Sequence, residues 1–182
     1  MKINKNDNSV TEKLDIVTKR VVNYLYGNKI TVATAESCTG GLVSERITSV
    51  SGASEIFSLG LCTYSNQAKA EVLGVDAALL AAHGAVSESV AVSMAENAKR
   101  LAGAQIGVGI TGIAGPTGGT EKKPVGTVFV AVVSNERQLV KNLALYGADG
   151  EPPDREGIRK LTAIGALEMI ETLCTTRKAE VD

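Results

Sequence analysis

Apolar residues recur along this chain first with a helical period and then in short β-branched runs. Leu14, Val17, Val21 and Leu25 fall three and four residues apart and predict an amphipathic helix that Gly27 closes. Residues 30–35 predict a first strand. It breaks off into the polar cluster Glu36-Ser37-Cys38-Thr39 and the pair Gly40-Gly41, after which residues 42–47 resume with helical spacing. Residues 57–64 predict a second strand, with Ser65-Asn66 as a turn or cap. Helical patches follow at 67–73, stopped by Gly74, and at 76–83, stopped by Gly84. Ser87 is placed to cap a longer helix reaching about Leu101, with Gly103 after it and Val90, Met94, Ala98 and Leu101 on one stripe. Residues 105–110 predict a strand, 112–120 a glycine-rich loop, and 125–133 a strongly β segment. Ser134-Asn135-Glu136-Arg137 predicts a hairpin turn into residues 138–146. After Pro152-Pro153, Asp154 is placed to cap a final helix reaching about Leu173.

Helices between the early strands and a hairpin late in the chain predict an α/β fold. The expected architecture is a single domain, a three-layer α/β/α sandwich around a mixed sheet. Its expected span is residues 11–177, preceded by a flexible extension over residues 1–10.

Composition narrows the function classes. With 19 Lys plus Arg against 20 Asp plus Glu, no net field draws the chain to nucleic acid or an anionic membrane. Aromatics make up 3% and Trp is absent, which disfavours a stacking platform for single strands. Cys38, Cys62 and Cys174 are an odd number, widely spaced and without a CxxC, as reduced thiols rather than a disulfide framework or zinc site would be. The N-terminal residues lack the apolar core of a signal peptide, and no apolar run reaches membrane-spanning length. A soluble cytoplasmic protein is the expectation.

The polar cluster after the first strand is the richest in chemistry. Free N–H groups at a helix start favour negative charge, and glycines admit a close ligand. A nucleophile beside an anion-stabilising turn is what acyl transfer needs, so Ser37 is a candidate, with Cys38 as its rival. A helix cap with a glycine turn, or a small buried thiol at Cys38, explains the same residues without function. Gly107-Val108-Gly109-Ile110-Thr111-Gly112 spells GxGxxG, but its glycines fall within a strand and Pro116 follows where a helix belongs, which argues against a dinucleotide site. The loop after it is dense in N–H groups that suit a phosphate or carboxylate. His83, the only histidine, sits before Gly84 at a helix end, a structural position. No carboxylate cluster has metal-ligand spacing, so no metal is expected. A base for Ser37 is therefore sought among lysines and tyrosines. Tyr64 ends the second strand and Lys69 follows it, with small or apolar neighbours among which partial burial would lower the lysine pKa; a solvated helix-face lysine is the alternative.

Several motifs in order carry a resemblance. They are Ala35-Glu36-Ser37-Cys38-Thr39-Gly40-Gly41, Thr63-Tyr64-Ser65-Asn66 with Lys69, Leu73-Gly74-Val75, and His83-Gly84-Ala85-Val86-Ser87-Glu88. Further along are Thr111-Gly112-Ile113-Ala114-Gly115-Pro116 with Gly118-Gly119, Pro124-Val125-Gly126-Thr127-Val128, and Asp154-Arg155. From about Val32 to the last helix the chain resembles the CinA C-terminal domain family, whose enzymes are nicotinamide-nucleotide amidases. The resemblance implies deamidation of nicotinamide mononucleotide to nicotinate mononucleotide and ammonia, with no metal or organic cofactor. It implies Ser37 as nucleophile and Lys69 and Tyr64 as its proton-handling partners. Cys38, Thr39, Gly40, Gly41, Thr111, Gly112, Gly115 and Arg155 are the expected substrate-binding positions. A small-molecule mononucleotide is the expected partner, and a homo-oligomer, as a dimer, the expected assembly. Two departures stand out. The separate N-terminal domain of longer members has no counterpart here, and the loop over residues 147–153 is longer than the family pattern. A catalytically silent nucleotide-binding or regulatory homologue on the same scaffold is the alternative function.

Overall fold

The computed structural model describes residues 8–146 and 151–176. Most of the expected extension falls outside the described residues, and Asn8 to Val10 already belong to the first helix, α1 (Asn8–Asn28). The expected domain end at 177 and residues 147–150 of the long loop also lie outside them. In chain order follow β1 (Val32–Glu36), α2 (Leu42–Thr48), a short 3-10 turn (Ala53–Glu55), β2 (Phe57–Cys62), α3 (Asn66–Glu71), α4 (Ala77–His83) and α5 (Glu88–Ala102). The chain then forms β3 (Ile106–Gly112), β4 (Val128–Val133), β5 (Gln138–Asn142) and α6 (Arg155–Thr175).

The five strands form one mixed sheet in the order β2-β1-β3-β4-β5. β1 pairs in parallel with both β2 and β3, while β4 and β5 add antiparallel. One face carries α1, α2 and α6 over a core that includes Leu14, Val21, Ile47, Val108, Ile158 and Ile170. The other carries α3 to α5 over Ala33, Ala35, Leu73, Val90, Met94 and Ala98. The expected α/β sandwich with a mixed sheet is what forms.

Two features of the sequence acquire a physical reason. A Cβ on Gly107 would lie 2.0 Å from the Ala95 carbonyl oxygen, and one on Gly109 would lie 2.1 Å from that of Ala91. These glycines let α5 lie directly against β3, with the small residues Ala91 and Ala95 on the helix side. The GxGxxG string is therefore a packing device. Leu101, in contrast, is 46% exposed. The buried stripe of α5 advances by four residues from Val90 through Met94 and Ala98, which brings Ala102 rather than Leu101 to the core side. β4 begins at Val128, three residues later than expected, because Gly126 takes φ 93° in a turn closed by Thr127 N–H donating to the Pro124 carbonyl.

β1 is the switch point of this topology. The chain leaves it for β2 through α2 on one face, and returns to its other side at β3 through α3, α4 and α5 on the opposite face. The carboxyl ends of the three parallel strands open together, and a crevice forms there.

Candidate active site

Each parallel strand delivers one wall of that crevice. Ser37 and Cys38 follow β1, Tyr64 follows β2, and Thr111 and Gly112 end β3. With Lys69 and Arg155 they line a cleft of about 190 Å³. Ser65 starts α3 by accepting a hydrogen bond from Ala68 N–H, and one turn later the helix aims Lys69 back under the strand ends.

Lys69 is 1% exposed. Its Nζ lies 2.9 Å from Ser37 Oγ, 2.8 Å from the Thr63 carbonyl oxygen and 3.5 Å from that of Tyr64. Among the described residues no carboxylate pairs with it. Burial without a counter-charge pushes its pKa down, opposed only by smaller contributions from Cys38 and Cys62. A neutral amine suits this surrounding. Its two N–H groups have two carbonyls to meet, and its lone pair has the Ser37 hydroxyl.

Cys38 behaves differently. It is 5% exposed and packs in the core, and burial, reinforced by Glu36, pushes its thiol up to about 12 against smaller opposing effects. The helix start does not activate it as a thiolate. Glu36 explains why. Its fully buried carboxylate accepts from the N–H groups of Gly41, Val43 and Ser44 and from the Ser44 hydroxyl, at 2.6 to 3.1 Å. The negative charge that the α2 N-terminus favours is the protein's own.

That arrangement corrects the expected use of the turn. Gly41 N–H is taken by Glu36, Gly40 N–H donates to the Ser37 carbonyl, and Leu42 N–H donates to that of Thr39. Thr39 is fully buried, and neither it nor Gly40 nor Gly41 lines the cleft. Gly40 and Gly41 instead take φ 61° and 92°, and so let the turn close around Glu36. Among the described residues, the Cys38 and Thr39 N–H groups donate to no oxygen; both lie near the Cys38 sulfur, where they oppose the rise of its pKa, and of the two residues Cys38 alone lines the cleft.

Tyr64 also departs from expectation. Its side chain is 59% exposed, and its hydroxyl accepts from Arg155 Nη2 at 2.8 Å. The hydroxyl is bonded to neither Ser37 nor Lys69, and it stands at the rim with Arg155. Arg155 also donates to the Gly115 carbonyl at 2.6 Å, which fixes the glycine-rich loop, and has no carboxylate partner among the described residues. Gly115 is buried behind the cleft wall, while Thr111 lines it with its hydroxyl donating to the Ala85 carbonyl at 2.7 Å. A larger cavity of about 660 Å³ adjoins, sharing Ala114 and Arg155.

Two contributors went unread in the sequence. Glu36 was visible as a lone acid ending an apolar strand. Arg159 lies one helical turn beyond Arg155 on α6, and its Nε and Nη2 both donate to the Thr39 carbonyl, at 3.1 and 3.0 Å. Among the described residues no group of three or more His, Cys, Asp and Glu side chains is placed to hold a metal ion, and no helix is long and apolar enough to cross a membrane.

Comparisons with known proteins fall on one family. The profile of the CinA C-terminal domain matches residues 14–174. A putative competence-damage inducible protein of Thermoanaerobacter pseudethanolicus is 50% identical over 150 residues, which cover 82% of this chain and 35% of that protein. A CinA-like protein of Anaeromyxobacter dehalogenans is 55% identical over 139 residues, 76% of this chain and 33% of its own length. This chain thus spans about a third of the length of those relatives. The crystal structure of the competence/damage inducible protein CihA from Agrobacterium tumefaciens aligns with a TM-score of 0.84 at 35% identity, covering 90% of this chain and 96% of that one. A CinA superfamily protein from Escherichia coli aligns at 0.81 and 30% identity, covering 94% and 95%. The chain belongs to the CinA C-terminal domain family.

Proposed function

We propose that this protein is an amidohydrolase that converts nicotinamide mononucleotide to nicotinate mononucleotide and ammonia through a serine acyl-enzyme. The observation that carries this reading is the buried Lys69 amine, with no carboxylate partner among the described residues, 2.9 Å from Ser37 Oγ. A lysine in that state is a base, and a serine hydroxyl beside it is a nucleophile.

The steps follow from that pair. Ser37 Oγ attacks the carboxamide carbon while its proton passes to Lys69 Nζ. The carbonyl oxygen becomes an oxyanion, and the Cys38 N–H, at the cleft wall and with no oxygen partner among the described residues, is the donor for it. Lys69 then returns the proton to the leaving nitrogen and ammonia departs. Water, deprotonated by the same amine, hydrolyses the ester and frees Ser37. Arg155, a cation at the mouth of the cleft with no carboxylate partner among the described residues, suits the substrate phosphate. The ribose phosphate extends into the adjoining cavity that Arg155 shares.

Ammonia release from nicotinamide mononucleotide by three variants tests the assignment. Ser37→Ala is expected to be inactive, Cys38→Ala to keep most of the activity, and Lys69→Arg to be nearly dead because arginine holds its proton at working pH. An active Ser37→Ala enzyme beside an inactive Cys38→Ala enzyme would transfer the nucleophile to the thiol and end this reading.

A further inference from the structure

We infer that Arg159 is a positioning residue for the oxyanion hole, acting on the Cys38 N–H through two hydrogen-bonded peptide units. This rests on the amidase reading of Ser37 and Lys69. The path is continuous in the structure. Arg159 Nε and Nη2 donate to the Thr39 carbonyl at 3.1 and 3.0 Å. That carbonyl belongs to the same peptide unit as the Gly40 N–H, which donates to the Ser37 carbonyl at 3.0 Å. The Ser37 carbonyl in turn shares its peptide unit with the N–H of Cys38, which lines the cleft and whose N–H donates to no oxygen among the described residues.

The sign of the effect follows from peptide resonance. A guanidinium on a carbonyl oxygen draws electron density from the amide nitrogen of that unit and makes its N–H a stronger donor. The Gly40 N–H passes the same bias to the Ser37–Cys38 unit. Hydrogen bonds in series strengthen one another, and a charged donor at the head of the series begins it strongly. The Cys38 N–H therefore meets a developing oxyanion as a polarised donor, held at a fixed angle because Arg159 ties the turn to α6. Glu156 accepts from Arg159 Nη1 at 2.8 Å and leaves the other two donors for Thr39. Arg159 also borders the adjoining cavity, but its guanidinium is engaged there by the Thr39 carbonyl and the Glu156 carboxylate. Its charge therefore acts most on the step that creates the oxyanion and is read in kcat.

Two rates read this out. One is ammonia release from nicotinamide mononucleotide. The other is phosphonylation by a fluorophosphonate ester, in which Ser37 Oγ bonds to phosphorus, fluoride leaves, and the serine proton goes to Lys69. That reaction also builds negative charge on an oxygen in the oxyanion hole, and intact-mass spectrometry with peptide mapping follows it. Arg159→Gln is expected to slow kcat and the labelling of Ser37 together by about tenfold, less than the roughly 10²–10³ of losing a donor outright, with KM within about twofold. Arg159→Lys, which keeps the charge with a single N–H···O bond, is expected to fall between Arg159→Gln and the native enzyme in both rates. Melting curves run alongside refer each rate to folded protein. Should Arg159→Gln not fold, Arg159→Lys decides alone, and a folded lysine variant labelled at the native rate overturns the inference. Loss confined to KM, or unchanged labelling in folded Arg159→Gln, overturns it equally. Native protein labelled at Ser37 but releasing no ammonia removes the amidase reading and leaves the labelling test of Arg159 intact. Native protein that is not labelled at Ser37 removes both.

Discussion

At the scale of the residue, the chemistry turns on the protonation of Lys69. Burial lowers its pKa below the ordinary 10.5 of lysine. Because the neutral amine is the working form, kcat/KM is expected to rise with pH up to the lowered Lys69 pKa and level off above it. Stability carries the same signature. Between the folded-state pKa and the higher unfolded value, the unfolded chain binds more protons, so stability rises with pH across that window. Cys38, whose folded pKa is raised from 9.0 to about 12, acts in the opposite sense above pH 9, where stability falls as pH rises. Subtracting the denaturation free energies of Lys69→Met from those of the native protein at each pH isolates the lysine. The difference is expected to move in favour of the native protein as pH rises, and a flat difference would mean that Lys69 titrates normally. In the sequence, Ser37 and Lys69 stood near strand ends with alternatives open, a helix cap and a solvated lysine; the family resemblance singled them out, and the fold brings them within 2.9 Å. The placement of the Tyr64 hydroxyl was not legible. Nothing in a linear sequence says that Arg155, far along the chain, draws it to the rim.

At the scale of the element, capping and close packing set the geometry. Ser65, Ser87 and Asp154 each cap the helix that follows, and all three positions were readable as turn or cap residues. The α2 start was not, because its cap is Glu36 from the preceding strand and not one of the turn residues Ser37 to Thr39. That substitution matters to the chemistry. With the carboxylate holding Gly41, Val43 and Ser44, the turn presents Ser37 and Cys38 to the cleft instead of a helix terminus. Close packing has its own test. Gly109→Ala would put a methyl group 2.1 Å from the Ala91 carbonyl oxygen, so α5 must move off β3. A loss of about 3 kcal/mol or more in chemical denaturation is expected, with activity per folded molecule reduced because β3 also ends in the cleft. A neutral substitution would show that the helix and strand do not meet this closely.

At the scale of the whole molecule, the crevice exists because β1 lies between two parallel partners reached over opposite faces. The alternation of strands and helices in the sequence carried the α/β class and the two covered faces. The strand order was beyond it, since the pairing of β1 with both β2 and β3 depends on contacts across the sheet. The same arrangement brings Arg155 on α6 over the carboxyl ends of β1 and β2. Arg155→Met is expected to raise KM for the mononucleotide by roughly tenfold or more, the order of one charge-assisted contact, while turnover of the phosphate-free nucleoside changes little. Equal losses on both substrates would detach Arg155 from the phosphate. The central claim is that Ser37 Oγ bonds to the carbonyl carbon of the substrate. Acid-quenching the protein during turnover of nicotinamide mononucleotide and mapping its peptides by mass tests this most directly. The account predicts a nicotinoyl-mononucleotide ester on Ser37 that is absent from Ser37→Ala. An adduct on Cys38, or acid product formed with no adduct and undiminished in Ser37→Ala, would contradict it.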